Sequence, residues 1–182
     1  MNIVINGKKF NFSEINFPIL IHGAEKTGSS FFSICLLSQA QKKGTKTLLF
    51  SAYPMAKEEF KKQISSHEND ALVIDSGDEQ VFIKKLQSIP DLKDRVVLIK
   101  NIDKYSLKLF NAVKDLKLII FSGDLDKCQF ADSLMGVKFY SKILFSPSKK
   151  YPQCDLTDLP KYSGKLINGY HNSVISLDLE EK

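Results

Sequence analysis

Gly23 and Gly28 stand five positions apart in the stretch FPILIHGAEKTGSSFFSICLLSQA, which runs from Phe17 to Ala40. With them come Ala24, Glu25, Lys26, Thr27, Ser29 and Ser30. Glycine takes positive φ at little cost and lets a backbone approach a ligand closely. Hydroxyls and a cation beside such glycines suit an anion. The flanks point the same way. Pro18 to His22 reads as a short apolar strand, and Ser29 to Lys43 as an apolar helix. The amides of such a loop and of the first helical turn have no intrahelical acceptor, and the helix dipole adds partial positive charge. The chemistry expected of Gly23 to Ser30 is phosphate binding. The same residues also fit a Gly/Ser turn that caps a core helix through Ser29 or Ser30.

The glycine spacing is that of the P-loop, G-x-x-x-x-G-K-[ST]. Ser29 occupies the lysine position, while Ser30 matches the hydroxyl that holds magnesium. Lys26, the cation of the loop, comes three residues too early. Serine cannot bring charge to the β- and γ-phosphates, so the loop suits holding phosphate better than phosphoryl transfer. Ser30 and Asp75 are the candidate metal ligands, because hard cations favour carboxylates and hydroxyls. Asp75 and Asp78 also read as a strand end and a helix N-cap. Asp103 reads equally as a cap. Glu58 and Glu59 read as the solvated face of a lysine-rich helix. Tyr53 either stacks on a base or packs on Pro54, and His22 either meets a ligand or packs at its strand end.

These residues need a framework, and the chain supplies one. Its 182 residues suit a single domain with a substantial core. Hydrophobic residues are 43% and charged ones 26%, as in ordinary globular chains. No apolar run approaches the roughly 18 residues that span a bilayer, and no signal-peptide pattern opens the chain. A cytoplasmic protein without membrane insertion is expected. Cys35, Cys128 and Cys154 are too scattered for a disulfide framework or a zinc site. The net charge of +5 permits nucleic acid as a partner without establishing it.

Short apolar strands alternate with helices from residue 17 to 145. Strands are expected at Thr45 to Ser51, Ala71 to Asp75 (a buried parallel strand), Arg95 to Ile102, Lys117 to Ser122 and Val137 to Phe145 (an edge). Helices are expected at Ala56 to Ser66, Glu79 to Ser88, Lys104 to Asp115 and Asp126 to Met135. The fold class is therefore α/β, a three-layer αβα arrangement on a mainly parallel sheet. Asn6-Gly7 and Asn168-Gly169 each mark a small β-hairpin, one over residues 1–12 and one over residues 161–179. In such sheets ligands bind at the carboxyl ends of the strands.

The strand, the GAEKTGSS loop, the helix and then KTLLFSAYPMAKEEFKKQI resemble the core of RecA-like P-loop ATPases, including KaiC-like and replicative-helicase relatives. The resemblance covers roughly residues 17–145. It implies a P-loop NTPase fold and binding of ATP or ADP, with Mg²⁺, at Gly23 to Ser30. The family's glutamate after the second strand falls here at Tyr53 or Pro54. Its Walker B strand, four apolar residues and an aspartate, is matched by Val96 to Ile99 with Lys100 in the aspartate's place. ALVID, ending in Asp75, is the alternative match, and KLIIFSGD resembles a sensor strand. The closing hairpin resembles small β-structures in RecA-like and conjugation-type ATPases. The loop is also similar to that of sulfotransferases, which hold the phosphosulfate of PAPS with Lys26, Thr27, Gly28, Ser29 and Ser30 in this register. On that resemblance Lys26 would be catalytic, with Lys100 and Ser106 near the arginine and serine that hold the 3′-phosphate.

Three functions follow. The first is a nucleotide-binding RecA-like domain with degenerate Walker motifs and weak or no ATP hydrolysis. It would be a regulatory or structural subunit of a larger, conceivably DNA-handling, assembly, with other protein subunits or copies of itself as partners. The second is a PAPS-dependent transferase. The third is a protein-interaction module that lost its ligand.

Overall fold

The structure, a computed structural model, describes residues 2–10, 12, 15–63, 71–168 and 171–178. The apolar runs become β3 (Ile19–His22), β4 (Thr47–Phe50) and β6 (Val96–Lys100), each buried along its whole length. Strands covered on both faces need no polar alternation, which is why they read as continuous apolar runs. With β5 (Ala71–Ile74), β7 (Ile119–Gly123) and β8 (Ser141–Leu144) they form a parallel core in the order β8–β3–β7–β6–β4–β5. β9 (Ser163–Asn168) adds antiparallel to β8, β10 (His171–Asp178) to β9, β1 (Asn2–Ile5) to β10, and β2 (Lys8–Lys9) to β1. The result is one ten-stranded sheet.

Alternate residues of the strands feed two cores. Ile19, Ile21, Leu49, Val96, Leu98 and Ile120 pack with α1 (Ser29–Lys42) and with Ala56 and Phe60 of α2 (Pro54–Gln63). Leu20, Leu48, Phe50, Val97, Ile99 and Phe121 face the other way. They pack with α3 (Glu79–Leu86), α4 (Leu107–Val113) and α5 (Ala131–Met135). Phe50 stacks on Phe82 of α3 with ring centroids 3.8 Å apart and on Tyr105 at 4.9 Å. This is a three-layer α/β arrangement on a mainly parallel sheet. Among the described residues no helix is long and apolar enough to cross a membrane.

Several elements differ from expectation. The Ala71 to Asp75 run is not interior. β5 pairs with β4 alone, and three of its four residues are only half buried. β8, expected at an edge, is interior because β9 covers its outer side. The closing hairpin is thus part of the sheet rather than an appendage, and β1 is held against it. α4 starts at Leu107 because the Ser106 side chain accepts from the Lys108 amide and caps it, leaving Ile102–Lys104 as a 3₁₀ turn. The expected helix from Asp126 divides into a 3₁₀ turn at Leu125–Lys127 and the short α5. α2 begins at Pro54, whose fixed φ and missing amide suit a first helical position. Its expected end at Ser66 lies outside the described residues, as do His67, Gly169 of the second turn and the closing Glu180 to Lys182. The first hairpin does turn at Asn6-Gly7, with φ 49° and 76°.

Arg95, the only arginine of the chain, works at the amino end of the sheet. Its Nε and Nη2 donate to the two oxygens of Asp91 at 2.8 and 3.1 Å, Nη1 donates to the Thr47 carbonyl at 3.2 Å, and Lys46 donates to Asp91 at 2.8 Å. Hydrogen bonds from Lys46 and Arg95 hold the Asp91 carboxyl down to about 2, from an ordinary 3.8. A depressed carboxyl stabilises the fold above its ordinary value and loses that contribution as the pH falls through the folded value. Asp91→Asn removes the contribution. Between about pH 4 and about pH 2 the melting temperature of the variant is expected to fall less steeply than that of the parent chain. Equal slopes would show that Asp91 does not stabilise the fold in this way.

Candidate functional site

β3 delivers the loop to the middle of the parallel core, between β7 and β8. The loop is then fixed from several directions. The Gly23 amide donates to the Gly123 carbonyl at 3.2 Å, and the Ala24 amide to Ser146 Oγ at 2.9 Å. The Thr27 hydroxyl donates to the Ala24 carbonyl at 2.8 Å, with Ser29 Oγ 3.3 Å away. Lys26 and Gly28 turn the chain with φ 65° and 90°. A Cβ on Gly23 would come within 2.3 Å of Ser29 Oγ and 2.4 Å of Ser29 Cβ. A Cβ on Gly28 would come within 3.1 Å of the Tyr162 ring. The glycines are needed because the loop folds onto itself at one and under an aromatic ring at the other.

His22 is a fastener rather than a ligand-binding group. Its Nδ1 accepts from the Leu125 amide at 3.0 Å, so the ring proton sits on Nε2, which faces Ser146 Oγ at 3.2 Å and the Pro147 carbonyl at 3.3 Å. Asp124 and Asp126 lie close enough to His22 to resemble a metal cluster. Their oxygens are engaged otherwise. Asp124 accepts from the Asp126 amide, and Asp126 from Ser148 and the Lys149 amide. The group ties the ends of β3, β7 and β8 together beneath the loop.

What the loop leaves open is a row of donors. Among the described residues the amides of Glu25, Lys26, Gly28, Ser29 and Ser30 have no hydrogen-bond acceptor, and no side chain caps α1. They border a cavity of about 290 Å³ that runs from Gly23 to Ser30 and is closed by Asn101, Asp103, Lys104, Gly123, Asp124 and Lys127. A second cavity of about 1080 Å³ adjoins it, sharing Lys26, Gly28, Ser30, Tyr53 and Asn101. Its walls are more aromatic, with Phe31, Tyr53 and Tyr162, and carry Lys100 and Lys161. Tyr53 is 48% exposed at the mouth.

The expected site residues are therefore mostly together. Gly23, Ala24, Glu25, Lys26, Gly28, Ser29 and Ser30 all line the smaller cavity, Ser30 being exposed there and Ser29 buried. Thr27 lines neither cavity, since its hydroxyl is turned inward. Asp75 is not brought to Ser30. It sits after the edge strand β5, four strand spacings from β3, or about 19 Å. There it pairs with Lys57 at 3.5 Å and lines neither cavity. Asp78 caps α3 by accepting from the Gln80 amide. Ser106 caps α4 and hydrogen-bonds Glu79, so it is not free for a 3′-phosphate. The carboxylate residues that line the loop cavity are Glu25, which is exposed, Asp103, paired with Lys104, and Asp124, paired with Lys127, both pairs at 3.3 Å.

One residue was missed. Tyr162 read only as the start of a hairpin, yet it covers Gly28, with Lys161 over its ring at 4.9 Å. Lys100 read as a cation in the place of the Walker B aspartate and, on the sulfotransferase resemblance, in the place of the 3′-phosphate arginine, but not as a buried group. Its side chain is only 8% exposed at the end of β6, and its Nζ lies 3.8 Å from Glu59 on α2. Burial pulls its pKa below the ordinary lysine value, partly offset by Glu59. A polar residue closing four apolar ones was the available signal.

No family model matches the chain, and no curated protein matches it. A solved structure does: the pCW3 conjugation coupling protein TcpA, in monomer form with ATPγS. The TM-score is 0.55 at 13% identity, over 96% of this chain and 65% of that one. The chain thus spans about two thirds of the length of that neighbour, and at this identity the likeness is one of fold.

The tight loop carries a stability prediction. Gly23→Ala must push Ser29 or Thr27 aside and is expected to cost about 1–3 kcal/mol, as overpacking does. Gly77→Ala meets nothing within 4 Å and is expected to be neutral or slightly stabilising. Chemical denaturation of the two variants reads the difference. A Gly23→Ala protein as stable as Gly77→Ala would mean that the loop is not packed as described.

Proposed function

We propose that this chain is a nucleotide-binding domain of the P-loop type, holding the phosphates of ATP or ADP on the loop from Gly23 to Ser30 and hydrolysing them slowly or not at all. The observation that carries the proposal is the row of unpaired amides at the start of α1, facing a cavity of about 290 Å³ at the carboxyl edge of a parallel sheet. Amides so placed complement an anion without any side-chain charge, and the dipole of α1 adds to them. The neighbouring cavity meets it at Gly28 and Ser30, carries Tyr53 and Tyr162 on its walls, and has room for the rest of the nucleotide.

Weak hydrolysis follows from what the site lacks. Phosphoryl transfer depends on positioned cations and on a group that orients the attacking nucleophile. The lysine position of the loop is Ser29, which is buried against Gly23. The position after the second parallel strand that resembles the family's glutamate is Tyr53 or Pro54. A magnesium ion carried by the nucleotide would find the Ser30 hydroxyl, but of the carboxylates around the loop cavity Asp103 and Asp124 are already ion-paired and Glu25 is exposed. Such a domain serves best as a regulatory or structural subunit, with its binding state read by other subunits. The likeness of fold to a conjugation coupling protein agrees with a place in an assembly of that kind.

The test is thermal stability with ATP–Mg²⁺, ADP and PAP added separately. A ligand that binds only the folded chain adds about 2.7 kcal/mol at a hundredfold excess over its dissociation constant. ATP or ADP is expected to raise the melting temperature, and the rise is expected to vanish in Gly28→Val, measured against that variant's own baseline. A shift with PAP alone would move the site to the sulfuryl-transfer reading and Lys26. The absence of any shift in a folded sample would leave the interaction module.

A further inference from the structure

We propose that Lys100 is the cation of this phosphate site, supplying from β6 the charge that the loop itself does not place on a polyphosphate. The proposal rests on the nucleotide-binding reading above and names the residue that reads the length of the phosphate chain.

The argument begins with position. Lys100 is the last residue of β6, paired in register with Ser122 of β7, and its side chain lines the cavity that also holds Gly28, Ser30 and Tyr53. Gly28 and Ser30 line this cavity and the smaller one alike, so the two spaces meet at the start of α1, and Lys100 borders the larger of them. Amides supply oriented dipoles there, and an ammonium supplies a full charge with three rotatable donors.

The second observation is that this charge is buried and poorly matched. An ammonium taken out of water is strongly unfavourable unless it is paired and hydrogen-bonded. The side chain of Lys100 is 8% exposed, and among the described residues its Nζ makes no hydrogen bond. Its one ion pair, to Glu59, is 3.8 Å long, and Glu59 is itself 32% exposed. β6 is otherwise Val96, Val97, Leu98 and Ile99, all fully buried and apolar. Nothing in the packing of the sheet asks for a cation at its end. A phosphate oxygen in the shared cavity would give this ammonium the partner that the free chain withholds.

The other cations are less suited. Arg95 is at the opposite end of the sheet, bound to Asp91. Lys104 and Lys127 are paired with Asp103 and Asp124. Lys26 and Lys161 border the larger cavity but are exposed, so water screens them, and Lys161 already lies over the Tyr162 ring. A bound polyphosphate would draw Lys100 away from Glu59 and release the α2 carboxylate, so that α2 registers the occupancy of the loop.

Calorimetric titration of the full chain with ATP, ADP and AMP tests the proposal in the parent protein and in Lys100→Met, Lys100→Gln and Lys26→Met. Loss of a hydrogen bond to a charged group corresponds to about a 10- to 100-fold weakening. Both neutral Lys100 variants are expected to lose that much for ATP and several-fold less for AMP, so the preference for the longer phosphate chain collapses. Lys26→Met is expected to change ATP affinity less than about threefold, as a screened surface charge does. The unliganded melting temperature of Lys100→Met is expected to equal or exceed that of the parent. ATP affinity within threefold of the parent in whichever Lys100 variant folds, or a larger loss in Lys26→Met, would overturn the role of Lys100 while leaving nucleotide binding in place. A parent chain that binds none of the three nucleotides would sink the underlying reading and this proposal with it.

Discussion

The hydrogen-bonded ladder on both sides of β3 is the constraint from which the rest of the site follows. β3 pairs in parallel with β7 from Ile19↔Ile120 to His22↔Gly123, and with β8 from Ile19↔Ser141 to His22↔Leu144. A strand held on both edges cannot move or shift register without breaking both ladders and turning its apolar residues the wrong way. The loop after His22 is therefore launched from a fixed point. The Gly23 amide continues the ladder by one more bond, to Gly123, before the chain turns. His22 then locks the neighbouring strand ends through Leu125, Ser146 and Pro147. A row of amides can be left without acceptors only where the backbone around it is fixed, since a mobile loop would fold onto its own carbonyls.

The burial pattern of the sheet decides where chemistry can occur. Both faces are covered by helices, and the strands inside are mostly apolar, with residues such as Thr47, Lys100 and His22 at their ends. Polar side chains are thus driven to the strand ends. At the amino end this produces a structural cluster, Arg95 with Asp91 and Lys46. At the carboxyl end it produces the loop, Asn101, Asp103 and Asp124 around a cavity. One sheet sorts its charges into a clamp and a site.

The α/β class, the parallel core and the loop were legible because they rest on local signals. Apolar runs of strand length, glycines five apart and Asn-Gly turns each carry their own physical cause. What was not legible depends on lateral order. ALVI is as apolar as an interior strand, and the chain contains nothing to say that only β4 would flank it. With β5 at the rim, Asp75 is carried away from the loop, although it ends a strand as a site residue should. β8 became interior only because β9, the next strand along the chain, turns back and adds to it. Tyr162 follows from the same pairing, since β9 begins beside the loop and brings its preceding residue over Gly28.

Lys100 shows how a residue can be misread when a motif is scored position by position. Against the Walker B pattern it is a loss, a cation where an acid belongs. Within the sheet it stands at the carboxyl end of a buried strand, two strands from the loop strand, and lines a cavity that Gly28 and Ser30 also reach. On the proposed reading, a base there instead of an acid, together with a serine instead of a lysine in the loop, would keep a positive charge near the phosphates while removing the negative charge that would hold a metal. The electrostatics then favour retention of an anion over the separation of charge that transfer requires. On the proposed reading both departures act in one direction, toward binding without turnover.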